Sequence, residues 1–392
     1  MIEQRNKFGH YTVNGKIFNN KLHAIMHANE TKADVDWYFN DAEFNSVDWT
    51  VEPSTGLLEY YKLRAQQIRD QYDYVIVMFS GGADSTNVLT SFLDNNILLD
   101  EVIAGAPLSG LKSMEKNTST DATNQISETF YAQLPQLEKY HQLHPELKIT
   151  IHDYFEDILA LEDDAWIYNS LGHWIHHSAG ARHSLDKFTH IRALAESGKR
   201  IAVVYGIDKP VMGVGRDSQV YVSFVDSVAN IVTPHFKDKY PNVESVFFYY
   251  TPDLPELMVK QAHVLARWLY MPVNNQLREK ILQDQRVFLG FDPEKGKLWQ
   301  RAIVPCIYPG IDHARGLVWQ ADKQTRDIAG GFQIDDWIFK LHPNLRVNQM
   351  VKSDLSMFLK NIDDKYFLPG RAGLSIYMKS MSIGPVENFI TS

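Results

Sequence analysis

A run of small and polar residues at 80–85 (SGGADS) has the composition of an anion-binding turn. Gly81 and Gly82 permit positive φ and let the backbone approach an anion closely. Ser80 and Ser85 add hydroxyl donors. Asp84 is the most informative residue, because a carboxylate beside a bound phosphate requires a bridging cation, and Mg²⁺ is the expected one. The run therefore predicts a phosphate site that also binds Mg²⁺.

The residues on either side of this run predict the elements that position it. The continuous apolar run at 74–79 is typical of a strand buried on both faces, and residues 86–93 have a helical pattern. The free amides and the dipole of such a helix start favour phosphate. Further apolar runs predict strands at 102–106, 149–151 and 201–205. The sequence therefore predicts an α/β protein with a mainly parallel sheet, in which ligands bind where strands end.

The run at 80–85 resembles the PP-loop motif of the N-type ATP pyrophosphatases. This superfamily includes asparagine synthetase, the NAD and GMP synthetases, tRNA lysidine synthetase and several RNA thiolases. The family pattern is S-G-G-x-D-S after a hydrophobic strand, and the chain matches every fixed position. The resemblance covers residues of about 70–210 and implies a parallel-sheet, adenine-nucleotide alpha-hydrolase-like core. It also implies cleavage of ATP between its α and β phosphates.

The resemblance implies roles for residues beyond the motif. The loop would hold the departing pyrophosphate while a substrate oxygen attacks the α-phosphorus, and a nucleophile would then displace AMP. In the family the end of the second strand touches the adenosine, which here points to Ala104 and Gly105.

A later strand end, the segment GIDKP at 206–210, would close the site. It is loosely similar to the asparagine-synthetase segment in which acidic residues follow a glycine. Gly206 would contact the nucleotide, Asp208 would hold Mg²⁺ together with Asp84, and Lys209 would face a phosphate. Asp84, Asp208 and Lys209 are thus the catalytic candidates. A solvated loop is the alternative for the last two, because charged loop residues are usually exposed.

The single cysteine limits the possible nucleophiles. The thiolases and the zinc-dependent members of the superfamily need several cysteines, whereas Cys306 stands alone. It is therefore predicted to be a small buried hydrophobe. Residue 2 is Ile2, so the N-terminal-cysteine glutaminase of the larger asparagine synthetases is not expected. The expected cofactors are ATP and Mg²⁺, and the expected partners are a small-molecule substrate and an amine or ammonia donor.

Two further groups of residues are candidates for the site. His173, His176 and His177 would share one helix face, which allows a metal site, a substrate or phosphate contact, or surface histidines. Arg371 and Lys379 are further basic candidates. Synthetases of the class that the motif resembles often close the site with a C-terminal lysine or arginine, and Lys379 lies in such a position.

The pattern along the chain divides it into three segments. Residues 1–54 predict a small module with a hairpin around Asn14-Gly15 and an aromatic patch that packs internally. Residues 55–250 form the predicted PP-loop core, and 251–392 a mixed, mostly helical extension. In this last segment Pro255 begins a predicted helix.

Composition restricts the class of protein. Lys and Arg number 39 against 48 Asp and Glu, a net charge of −9, which argues against a surface devoted to nucleic acid. No apolar run reaches the ~18–20 residues needed to span a bilayer. One cysteine allows no intramolecular disulfide, and the polar start carries no signal-peptide pattern. The sequence therefore favours a cytoplasmic protein.

Three functions are consistent with these features. The first is an asparagine-synthetase-like ligase that adenylates a carboxylate- or carbonyl-type oxygen for attack by a nitrogen nucleophile. The second is a PP-loop enzyme that modifies a nucleic-acid base; the acidic charge argues against it, although the first module is locally basic. The third is a nucleotide-binding regulatory protein without turnover, against which the intact Asp84 argues.

Overall fold

The computed structural model of the chain describes most of its first 280 residues and two shorter segments after them. The described residues are 9–19, 21–106, 108–110, 129–159, 185, 187–207, 210–225, 239–276, 278–279, 306–309 and 378–390.

A five-stranded, wholly parallel sheet forms the centre of the protein. Its strands, in chain order, are β4 (Tyr74–Met78), β5 (Glu101–Ala106), β6 (Lys148–Asp153), β7 (Ile201–Tyr205) and β10 (Val243–Phe247). Their spatial order is β10-β7-β4-β5-β6, and every neighbouring pair is parallel. β4 and β7 are buried apolar strands, as their uninterrupted apolar sequences predict. The predicted α/β class with a parallel sheet is therefore confirmed.

Two smaller antiparallel sheets flank this centre. The first, in the order β2-β1-β3, contains β1 (His10–Val13), β2 (Lys16–Phe18) and β3 (Asp36–Tyr38). Its hairpin turns at Asn14 and Gly15, both at positive φ (50° and 77°), which confirms the predicted Asn-Gly hairpin. The second, in the order β11-β9-β8, contains β8 (Val211–Val214), β9 (Gln219–Val225) and β11 (Met378–Pro385).

Eight α-helices lie within the described residues. They are α1 (Lys21–Thr31), α2 (Asp41–Asn45), α3 (Leu57–Gln71), α4 (Ala83–Leu93), α5 (Leu134–Leu143), α6 (Phe155–Leu159), α7 (Thr189–Glu196) and α8 (Pro255–Tyr270). A π-helical turn, Thr129–Gln133, leads into α5, and 3-10 turns occur at Leu108–Gly110, Pro272–Asn274 and Val386–Asn388. Pro255 occupies the first turn of α8, as predicted. None of the helices in these ranges is both long enough and apolar enough to cross a membrane.

An aromatic cluster joins the first sheet to the rest of the protein. Trp37, Phe39, Phe44 and Trp49 are buried, and the rings of the last three lie 4.8–5.6 Å from the Phe224 ring of β9. The prediction that this patch packs internally is confirmed for these side chains.

Direct bonds also cross the boundaries predicted at residues 54 and 250. Lys260 Nζ of α8 lies 2.6 Å from Glu52 Oε1, and β11 pairs with β9. The three-part division itself remains a prediction.

Candidate functional site

The glycine turn connects β4, the first strand of the parallel sheet, to α4. β4 ends at Met78 and α4 begins at Ala83, three residues earlier than the helix start predicted at Thr86. This earlier start places Asp84 and Ser85 in the first turn of α4, where backbone amides have no partner within the helix. Gly82, with extended φ and ψ, is the N-cap residue and supplies no side-chain cap.

The position of this turn in the sheet is the crevice in which open α/β sheets bind ligands. From β4 the chain adds β5 and then β6 on one side, and returns to add β7 and then β10 on the other. The strand order therefore reverses between β4 and β7. The loop that follows β4 lies at this switch point, next to the segment that follows β7.

Gly206 brings the end of β7 against the start of α4. A Cβ on Gly206 would lie 2.9 Å from the carbonyl carbon of Asp84 and 3.1 Å from the amide nitrogen of Ser85. Beyond it, the carbonyl of Ile207 accepts a hydrogen bond from the amide of Tyr250 (3.0 Å), so the pairing of β7 with β10 continues past both strands. The structure thus brings Gly206 together with Asp84 and Ser85, three of the predicted site residues.

The two serine hydroxyls hold the turn in shape. Ser80 Oγ and Ser85 Oγ lie 3.1 Å apart, and Ser85 Oγ also donates to the carbonyl of Gly82 (3.1 Å). The amide of Ser80 donates to Ser85 Oγ (3.2 Å). These bonds close the turn on itself. Donation to a phosphate remains the prediction for these hydroxyls.

Gly81 makes a close approach to Gln133, the residue directly before α5. Its φ is +83°, and a Cβ there would lie 2.6 Å from the amide nitrogen of Gln133. Gln133 Nε2 donates to the carbonyl of Phe79 (2.7 Å), and Gln136 Nε2 donates to the carbonyl of Gly81 (3.1 Å). The side chain of Thr86 donates to Gln136 Oε1 (2.9 Å). The close approach seen at Gly81 is therefore made to the protein's own backbone.

Sequence reasoning missed three buried tyrosines that surround Asp84. The Tyr308 hydroxyl donates to Asp84 Oδ1, and the Tyr249 hydroxyl donates to the backbone carbonyl of Asp84 at 2.8 Å. The Tyr61 hydroxyl donates to the carbonyl of Ile307. The three rings pack together, with centroids 5.4–6.2 Å apart. No local pattern in the sequence connects position 308 with position 84.

These tyrosines are neutral hydrogen-bond donors. Burial raises the pKa of Tyr308 and of Tyr249 well above 10, and the nearby Asp84 carboxylate raises both further. Burial likewise raises the pKa of Tyr61. Each therefore keeps its proton at neutral pH, which agrees with the donor role that it has in these hydrogen bonds.

The other predicted site residues fall in several places. Ala104 is fully buried within β5, and Gly105 is half-buried beside the last residue of that strand. Their contact with adenosine remains a prediction. Asp208, Lys209, Arg371 and the histidines His173, His176 and His177 lie outside the described residues.

The basic candidate Lys379 has a partner of its own, and so does His190. Lys379 lies on β11, where its ammonium is 3.1 Å from Asp41 Oδ1 and 4.9 Å from the centre of the Phe39 ring. His190, which follows the predicted histidine cluster, lies 2.8 Å from Glu101 Oε2. Glu101 begins β5, so this contact is at the opposite end of the strand from the ligand-binding crevice.

The donor groups at the turn fit Mg²⁺. Within the described ranges, no three or more His, Cys, Asp or Glu side chains are grouped so as to hold a metal ion. Magnesium is usually bound by one or two carboxylates together with substrate phosphates and several waters. The Asp84 carboxylate and the hydroxyls of Ser80 and Ser85 are hard oxygen donors of the kind Mg²⁺ prefers.

The possible chemistry of this turn is inferred from the chemical groups that it contains. No protein-family model, curated protein or solved structure matches the chain. The groups present are helix-start amides, two serine hydroxyls and one carboxylate, at a switch point of a parallel sheet. Together they can bind an anion and a hard cation side by side.

Cys306 precedes Tyr308 in the chain and is a thiol, not a thiolate. It is half-buried, where the sequence predicted a buried residue, and this burial raises its pKa to about 11. The resemblance to the PP-loop proteins predicts ATP cleavage, and for that activity we expect Cys306→Ser to remain within a few-fold of the wild-type rate and to cost little stability. Turnover and thermal unfolding of the variant test this, and complete loss of turnover in a variant that folds normally would point to thiol chemistry.

Proposed function

We propose that the protein is an ATP-pyrophosphatase-type ligase. It cleaves ATP to AMP and pyrophosphate, adenylates a carboxylate- or carbonyl-type oxygen of a small molecule, and passes the activated group to a nitrogen nucleophile. This is the chemistry of the asparagine-synthetase branch of the PP-loop superfamily.

One observation carries the proposal. The turn SGGADS matches the PP-loop pattern, and it follows a central parallel strand at the point where the strand order reverses. An anion-binding sequence could occur by chance in a loop anywhere on a surface. Its occurrence at the switch point of a parallel sheet, with Asp84 in the first helical turn, supports nucleotide binding.

The protein's own residues would act mainly by positioning and by stabilising charge. The first amides of α4 and the hydroxyls of Ser80 and Ser85 would hold the departing pyrophosphate. Asp84 would hold Mg²⁺, which neutralises charge on the phosphate oxygens. Gly206 leaves room for the end of β7 to lie against the first turn of α4. Asp208 and Lys209 remain candidates for a second metal contact and a phosphate contact.

The products distinguish this activity from other uses of ATP. With Mg²⁺, ATP, the acceptor and an amine, we expect AMP and pyrophosphate to accumulate. ADP and phosphate would contradict the proposal, because the proposed cradle holds a leaving pyrophosphate.

The acceptor can be sought before the amine is known. Adenylation is reversible, so labelled pyrophosphate should enter ATP in the presence of the correct carboxylic acid alone, whereas labelled phosphate should not. A panel of carboxylic acids, with a nucleic-acid fraction as a separate arm, tests this. Exchange supported only by nucleic acid would favour the base-modifying alternative.

A further inference from the structure

Asp84 is held at two points by buried hydroxyls that come from distant parts of the chain. Tyr249, which follows β10, donates to its backbone carbonyl (2.8 Å), and Asn87 Nδ2 in turn donates to the Tyr249 hydroxyl (2.9 Å). Tyr308, in the segment 306–309, donates to the carboxylate at Oδ1. The first bond fixes the backbone of the helix start, and the second acts on the side chain that would meet a cation.

Tyr308 is itself held firmly. Its side chain is fully buried, and its ring packs on those of Tyr249 and Tyr61. The hydroxyl of Tyr61 donates to the carbonyl of Ile307, the residue before Tyr308, and it accepts a hydrogen bond from Gln261 Nε2 of α8 (3.0 Å). A donor fixed in this way can fix the orientation of the carboxylate that accepts from it.

We propose that Tyr308 is a positioning residue for Asp84, and that its hydrogen bond to the carboxylate sets the strength with which the first turn of α4 binds Mg²⁺. The inference rests on the proposed function, because it assigns Asp84 to a cation. Groups that hydrogen-bond a metal-binding carboxylate fix its orientation, and their loss typically costs 10–100-fold in metal affinity or activity. The segment 306–309 thereby becomes part of the site, although it lies far from the PP-loop core in sequence.

Tyr308→Phe is the direct test, since it keeps the packed ring and removes only the donor. Binding is measured by calorimetry with an ATP analogue whose α–β bridge is a methylene group, so that no turnover is needed. We expect the Mg²⁺ concentration that half-saturates analogue binding to rise about 10-fold. Binding of the analogue without Mg²⁺ should change little.

Tyr240→Phe is the matched control. It also removes the hydroxyl of a buried tyrosine that donates to a carboxylate, but that carboxylate is Glu196 (3.1 Å), and Tyr240 precedes β10 at the opposite end of the sheet from the turn. We expect it to lower the melting temperature and leave the half-saturating Mg²⁺ concentration within about twofold, because the contact between Tyr308 and Asp84 is intact. An equal shift in both variants would mean that loss of a buried tyrosine hydroxyl weakens Mg²⁺ binding only through stability, and would overturn the proposal.

A double-mutant cycle isolates the pair. In an Asp84→Asn background, Tyr308→Phe should have no further effect on the Mg²⁺ dependence, because the two groups act as one unit.

If Tyr308→Phe fails to fold, Tyr61→Phe, which frees the carbonyl of Ile307, should shift the Mg²⁺ dependence in the same direction. Wild-type protein whose analogue binding ignores Mg²⁺ would overturn the proposed function. If analogue binding to the wild type depends on Mg²⁺ and Tyr308→Phe shows the same dependence, this inference alone is overturned.

Discussion

Asp84→Asn is expected to leave a folded protein whose ATP cleavage is slower by about 10²-fold or more. The substitution keeps the size of the side chain and an oxygen that can accept from Tyr308, and it removes the charge that binds a hard cation. Removing one electrostatic group from a preorganised site typically costs a factor of this size. Turnover measured against Mg²⁺ concentration, together with a thermal melt, gives both results from one preparation.

Asp94→Asn provides the matched control, because Asp94 is exposed at the other end of the same helix. It should change neither the melting temperature nor the Mg²⁺ titration appreciably. If the Mg²⁺ titrations of Asp84→Asn and wild type coincide, Asp84 does not bind the metal and the assignment of the turn is wrong. A large loss of stability in Asp84→Asn with no specific effect on the nucleotide would indicate a purely structural turn.

The two inner strands β4 and β7 could be predicted from the sequence because they are buried. Each is an uninterrupted apolar run, and this pattern has few other interpretations. The order of the strands could not be predicted in the same way. The order depends on which strand pairs with the edge of β4 that β5 leaves open. The sequences of β7 and β10 do not indicate which of the two it is.

Only the part of the candidate site that is formed by contiguous residues could be predicted from the sequence. The motif, the strand before it and the helix after it are contiguous, so the sequence alone predicted the turn and its carboxylate. The resemblance predicted Gly206 as a site residue, but its close approach to the backbone of Asp84 is seen only in the fold. Tyr308 and Gln133 reach the turn from distant positions through ordinary buried packing, which leaves no pattern around either residue.

Gly81→Ala is expected to be the most damaging small substitution in the turn. A side chain at φ +83° costs about 1–2 kcal/mol, since L-residues are crowded in that region. The new methyl group would also overlap the backbone of Gln133, 2.6 Å from its amide nitrogen, and such overpacking typically costs about 1–3 kcal/mol more. Relief of the overlap requires the start of α5 to move away from the turn. We therefore expect both a lower melting temperature and a loss of at least about 10-fold in ATP cleavage, as misplacement of a preorganised site produces.

Gly198→Ala separates the cost of a side chain at positive φ from the cost of the overlap with Gln133. Gly198 has nearly the same conformation, φ +85°, but a Cβ there would meet nothing within 4 Å. The control therefore carries the conformational cost without the overlap, and it should lower stability by about 1–2 kcal/mol while leaving ATP cleavage unchanged. The difference in unfolding free energy between the two variants, measured by denaturant titration, then reports the contact between Gly81 and Gln133. Equal destabilisation would mean that the contact is loose enough to admit a methyl group, and that the helical segment before α5 does not hold the turn in place.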